Sequence, residues 1–249
     1  MKTSTKSITL SLLVLLSTTY SLRAQNSSYF KYLTKVTIDT SFNIVFGYNK
    51  SNTRLINKPC YELDKNHPYY CDTVESPFWG ILVAKFKNKY FKDSLFITYN
   101  QGLSADPSFT ISTNGAYSNR LDVFECLELY LNSTGTIYTN GHTNNMFNTR
   151  RKYNIQKDTI IEVKQPYLYV GIKGKTLSPI TLYSDRKGSS IIANLPINYE
   201  IEILLAEDIM TDTDKYDLYL VRTSFGLVGW LRDSGYGNSI IEDLFFAGD

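Results

Sequence analysis

Val221-Arg222-Thr223-Ser224-Phe225-Gly226-Leu227-Val228-Gly229-Trp230-Leu231 carries the clearest structural punctuation in this chain. Two short runs that suit strands meet near Gly226, as the two arms of a hairpin do. Along the second arm Val228, Trp230 and Arg232 alternate with Leu227, Gly229 and Leu231. That period of two places Leu227 and Leu231 on a core face and Trp230 on the other. Upstream, similar short runs recur: Ile180 to Tyr183, Ser190 to Pro196, Tyr199 to Leu205 and Leu218 to Thr223. The loop Ser184 to Gly188 and a polar hairpin from Glu207 to Lys215 separate them. Five short strands, each half apolar and none able to bury its face alone, can close into a small barrel.

These residues resemble the bacterial SH3-like domain, whose closing hairpin has the form V-R-T-S-x-G-x-x-G-W-V, here Val221 to Leu231. The resemblance lies in the C-terminal third, about 167–249, and no family is recognised in residues 25 to about 165. It implies a β-barrel binding module of exported cell-wall, periplasmic and sensor proteins, without chemistry of its own. Tyr183 and Trp230 fall where family members carry groove or near-groove side chains that contact peptide or peptidoglycan. Leu218 stands where many members have Trp, which removes one aromatic wall of the kind that holds Pro-rich peptide.

Elsewhere the composition also favours strands. Twenty Tyr and 13 Phe, with many Ile, Val and Thr, suit a half-buried pleated surface. Strands are predicted at Tyr32 to Thr40, Phe42 to Tyr48, Trp79 to Lys87, Lys89 to Tyr99, Thr136 to Asn140, Lys152 to Ile155 and Thr159 to Lys164. Asn88-Lys89, Asn132 to Gly135 and Gln156 to Asp158 give the turn signals between them. Spacing of this kind suits an antiparallel sandwich or barrel. Val123 to Leu131 fits both periods, since Val123, Phe124, Leu127, Tyr130 and Leu131 have helical spacing while Leu127, Leu129 and Leu131 alternate. The turn that follows favours a hairpin. The expected fold is therefore mainly β, with an N-terminal antiparallel β domain at 25–165 packed on an SH3-like small β-barrel at 166–249. The boundary lies near Gln165-Pro166, and no flexible linker separates the two parts.

Residues 1–24 read as a secretory signal: Lys2 and Lys6 precede an apolar run from Ile8 to Leu16, and Leu22-Arg23-Ala24 ends in a small residue. Cleavage is expected between Ala24 and Gln25. The apolar run is shorter than the roughly 20 residues a bilayer span needs. Removing the signal takes away Lys2, Lys6 and Arg23 and no acid, so 26 bases against 24 acids become 23 against 24. A balance so near neutral argues against a nucleic-acid partner, whose phosphates need a clustered basic face. An exported, periplasmic or extracellular protein is expected, with no transmembrane segment in its mature form.

In an oxidising compartment Cys60 and Cys71 can bridge the loop that holds Asn66, His67, Pro68, Tyr69 and Tyr70, for about 2 to 3 kcal/mol of loop entropy. Cys126, beside Phe124 and Leu127, reads as a buried thiol.

Catalytic groupings are sparse. His67 and His142 are the only histidines, and no hydrolase signature surrounds either one or the cysteines. Gly102-Leu103-Ser104-Ala105-Asp106 lacks the second Gly of a nucleophile elbow. Asp208, Asp212, Asp214 and Asp217 crowd one hairpin without the Gly and closing Glu of a calcium loop. Glu125 and Glu128 form a carboxylate pair that means little without a pocket. Arg150-Arg151-Lys152 with Lys157, near Asn148 and Asn154, suits a charged edge strand or an anionic polymer. No cofactor, metal or catalytic residue is expected. The reading is a non-enzymatic binding or scaffolding protein of the cell envelope, its ligand a peptide, a peptidoglycan glycan or a partner protein. Two alternatives stand: an inhibitor presenting the Cys60 to Cys71 loop to an envelope enzyme, or an enzyme with its site in residues 25–165.

Overall fold

A computed structural model describes residues 29–72, 80–102, 106–113, 119–142, 144–157, 159–207, 217–233 and 239–245. The signal segment, Leu103 to Ala105, Asp208, Asp212 and Asp214 lie outside the described residues. Among the described residues the fold is mainly β, with 56% strand against 2% helix.

The first sheet joins β1 (Thr34–Asp39), β2 (Ile44–Tyr48), β8 (Glu128–Leu131), β9 (Thr136–Gly141), β10 (Thr149–Gln156) and β11 (Thr159–Glu162) in that order. The second is a meander of β3 (Thr53–Pro59), β4 (Ile81–Phe86), β5 (Leu95–Asn100), β6 (Ser108–Thr113) and β7 (Arg120–Glu125). The whole second sheet is inserted between β2 and β8, which pair parallel, Val45 opposite Glu128. Every other ladder is antiparallel. Fully buried Ile44, Phe46, Leu129, Leu131 and Ile137 of the first sheet share one core with Val83, Phe86, Leu95, Ile97, Phe109 and Ile111 of the second. Two sheets that bury their inner faces against each other in this way form a β sandwich.

The third sheet runs β12 (Tyr167–Lys175), β15 (Glu200–Glu207), β16 (Asp217–Thr223), β17 (Val228–Asp233), β13 (Ile180–Tyr183) and β14 (Ile191–Leu195). Among the described strands the order is linear and no barrel closes. Its core is separate, built on Leu182, Ile203, Tyr219, Val221, Leu231, Ile241 and Leu244. Phe147 and Met146, from the connection before β10, pack into that core as well, so chain from before Gln165-Pro166 contributes to it.

The quoted stretch forms the expected hairpin. Gly226 sits at φ +98°, where a side chain is strained, and the Thr223 and Leu227 backbones bond across the turn at 2.8 Å. Leu231 is buried while Val228, Trp230 and Arg232 face the other way. Leu227 departs from expectation: it is exposed in the turn, because the alternation begins only at Val228, where pairing with Arg222 starts. Gly229 brings β17 close to β13; a Cβ there would stand 3.0 Å from that of Leu182.

The N-terminal expectations hold at β1, β2, β4, β9, β10 and β11, and Val123 to Leu131 supplies parts of two strands, β7 and β8. The run from Lys89 becomes strand only at Leu95, because the Asn88 side chain accepts the Tyr90 N–H at 2.9 Å and its carbonyl accepts from Phe91, holding a turn. Strands β3 and β6 go beyond the predicted set.

Candidate functional site

Because successive side chains of a strand point to opposite faces, burying Leu168, Ile203, Tyr219, Val221, Leu231 and Leu182 sends their neighbours to the far side of the third sheet. Register then aligns those neighbours. Tyr169 stands opposite Leu205, Leu205 opposite Leu220, Leu220 opposite Trp230, Trp230 opposite Tyr183, and Tyr183 opposite Ile191. One continuous row of aromatic and aliphatic side chains thus crosses all six strands. Tyr169 is 55% exposed and Ile191 61%, with the members between them half-buried. Register shifts at Tyr169/Ile172, Ile203/Leu205 and Leu182/Tyr183 are needed for this alignment. Bulges adjust which residue faces outward without breaking the sheet.

Charge borders the row on both sides. Lys173, Glu202, Arg222 and Val228 form the next row, with Glu202 paired to Arg222. On the other side the Tyr167 ring meets Trp230 at 5.9 Å between centroids. Each tyrosine of the face carries one guanidinium: Arg150 over Tyr169 at 5.5 Å, Arg186 over Tyr167 at 6.0 Å and Arg232 over Tyr183 at 6.0 Å. Arg186 is also paired with Glu207, and Arg232 donates to the Arg186 carbonyl at 2.6 Å. Such contacts are worth about 0.5–1 kcal/mol at exposed sites and hold the rings in place. Ring faces beside fixed cations suit a ligand with flat apolar groups and carboxylates.

Tyr183 and Trp230, the two ligand-contact residues expected from the sequence, are therefore register partners on one face. The sequence reading missed Tyr167, Tyr169, Leu205, Leu220 and the three arginines. The alternation of Tyr167-Leu168-Tyr169 and Leu218-Tyr219-Leu220 marks them as outward residues, but only the register brings them together. The basic run is split by the same alternation: Arg150 faces Tyr169, whereas Arg151 turns to the opposite side and meets Glu162 at 2.7 Å. It is not one patch. Beside the charged row a concavity of about 550 Å³ is lined by Lys173, Lys175, Glu200, Glu202, Arg222 and Thr223, among others; its charges answer one another.

The Cys60–Cys71 disulfide is formed, with Cα atoms 5.3 Å apart. Its loop lies against the second sheet. Tyr69 is buried, packs on Phe96 at 5.3 Å and shares a hydrogen bond with the Ser112 hydroxyl, while His67 meets Phe96 edge-on at 6.4 Å. Burial lowers the His67 imidazole, with Asp64 opposing and Lys85 assisting. Pro68 alone of the His67-Pro68-Tyr69-Tyr70 run is exposed.

The remaining chemical candidates are scattered. His142 Nδ1 meets the Asn148 amide oxygen at 2.6 Å, and its ring meets Phe245 edge-on. Cys126 is a buried free thiol that burial holds well above the usual range. Glu128 accepts from Tyr130 at 3.0 Å and Asn140 at 2.9 Å, whereas Glu125 is exposed at the end of β7. Among the described residues no three His, Cys, Asp or Glu side chains converge on a metal position, and no helix is long and apolar enough to cross a membrane. No family model matches the chain, and no curated protein or solved structure proves similar to it.

Proposed function

We propose that this chain is a non-catalytic exported protein that binds or scaffolds at the cell envelope, using the outer face of its third sheet. Residues 166–249 are the binding module, SH3-like by the Val221 to Leu231 motif, and the sandwich domain of residues 25–165 carries it. The observation that carries the reading is the row from Tyr169 through Trp230 and Tyr183 to Ile191, whose tyrosines are each covered by an arginine. The Tyr167–Trp230 ring pair adds about 1 kcal/mol to the sheet, but a continuous row of aromatic and aliphatic side chains across six strands, 55% and 61% exposed at its ends, favours a ligand. Rings with guanidinia fit peptidoglycan, which offers sugar faces and stem-peptide carboxylates, and equally an acidic peptide or protein segment. Export is supported by the order of charged, apolar and small residues in 1–24 and by the disulfide. The non-catalytic reading is favoured over an enzyme because His142 is oriented by an amide and Cys126 is shut in. It is favoured over an inhibitor because Tyr69 is committed inward.

The test is co-sedimentation with purified peptidoglycan beside a pull-down from envelope extract, comparing the wild type with Trp230→Ala and Tyr183→Ala. Loss of an interface anchor weakens binding by about 2 kcal/mol. Retention by both variants at wild-type strength would sink the reading.

A further inference from the structure

Among the described strands three sheets present six edges, and five of them carry the charges that keep open edges from pairing with other chains. Lys35 and Asp39 lie on β1, Glu162 on β11, Lys173 and Lys175 on β12, Arg54, Lys58 and Pro59 on β3, and Arg120, Asp122 and Glu125 on β7. The sixth, β14, reads Ile191-Ile192-Ala193-Asn194-Leu195 and has no charge. Among the described strands it pairs only with β13. Its first residue is the exposed end of the apolar row, 61% accessible. The loop that feeds it, Ser184 to Gly188, brings Lys187 and, through the Arg186 carbonyl, Arg232 to the same corner, while Arg186 is paired with Glu207 and Asp185 accepts the loop's own N–H groups.

The geometry points to β14 as a docking edge for an extended segment of a partner protein, which adds a seventh strand to the third sheet. Main-chain hydrogen bonds to β14 supply affinity, and alternate side chains supply selectivity. The occupant has an apolar residue placed beside Ile191 and an acidic residue towards Lys187 and Arg232, where basic side chains complement it. A second copy of this chain fits less well, because β14, the strand it would bring, carries no acid to set against Lys187 and Arg232. This inference rests on the binding reading for the face it extends, but names an edge that the face does not require.

The probe is a displayed library of random peptides about twelve residues long, enough to overrun β14 at about 3.3 Å per residue, selected on the purified protein. Enriched peptides are expected to alternate apolar and polar residues and to carry an acid near one end. Adding them should slow amide exchange at Ile191 to Leu195, and Ile191→Lys or Asn194→Lys, both at exposed positions, should weaken them at least about tenfold, as edge charge does. Unchanged exchange in β16 and β17 verifies that the variants are folded. Three results overturn the inference: no enrichment, enriched peptides that protect other amides or ignore both lysine variants, or a dimer in light scattering that Ile191→Lys dissolves. The broader reading fails separately, by envelope binding that survives Trp230→Ala and Tyr183→Ala.

Discussion

Opening the Cys60–Cys71 disulfide, with Cys60→Ser and Cys71→Ser together, perturbs the sandwich at a defined place. The bridge closes a sequence separation of 11 residues. Loop entropy alone then assigns it about 2.8 kcal/mol of stability, acting through the unfolded chain. The loop has a second anchor, since Tyr69 is buried on Phe96 and bonded to Ser112. That anchor belongs to the native state and does not reduce the entropic term. In urea, with a slope of about 3 kcal/mol/M for a chain of this size, the transition should move down by about 1 M. Following it by hydrogen exchange and mass spectrometry resolves the two cores: amides of β4, β5 and β6 should open earlier while those of β16 and β17 keep their protection. An unchanged midpoint for the sandwich would refute the loop-entropy reasoning. An equal shift in both cores would show that the third sheet depends on the sandwich for its folding.

Leu231→Ala should cost about 3 kcal/mol, as truncation of a buried leucine does, while Trp230→Ala, outside the core, should cost about 1 kcal/mol for its aromatic pair with Tyr167; chemical denaturation orders the two, and the reverse order would make Trp230 a structural cap. Burial raises the Asp122 carboxyl, the Val123 N–H opposes the rise and Glu162 adds to it. The native group thus holds its proton to higher pH than the unfolded one, so stability falls as pH climbs from the ordinary carboxylate value of 3.8 through the raised one, and the deficit remains at neutrality. Asp122→Asn should raise the thermal midpoint at pH 7 and lose that advantage in acid; a gain of equal size at both extremes would contradict the assignment. Cys126 should resist a thiol reagent until denaturant is added, because it is buried and its thiol is held protonated.

Local signals in the sequence were legible where one residue type decides the backbone. The turn after β8 is an example: Asn132 accepts the N–H groups of Thr134 at 3.0 Å and Thr136 at 2.8 Å, so the hairpin is written in its own loop. The alternation around Leu231 and the Cys60–Cys71 pairing were legible for the same reason. What was not legible is long-range. Nothing near Val45 says that it will lie parallel to Glu128 across the whole inserted sheet. Strand β3 hides because Arg54, Asn57, Lys58 and Pro59 give an edge strand a loop's composition. The candidate face was half visible: Tyr183 and Trp230 were expected as groove residues, but Tyr169, Leu205 and Leu220 join them only through bulges that shift the register. The same parity separates Arg150 from Arg151, neighbours in sequence that reach opposite sides of a sheet.

The most direct measurement is the affinity of the folded protein for purified peptidoglycan and for envelope extract, before and after the paired change Tyr183→Ala with Trp230→Ala. Leu177→Ala, an exposed leucine outside the row, serves as the control. A single shared ligand should cost each variant about 2 kcal/mol, or roughly thirtyfold, and the double variant less than the sum, since register partners are coupled. The control should bind as the wild type does. Wild-type binding by the double variant, with the third sheet still protected from exchange, would place the binding surface elsewhere on the chain.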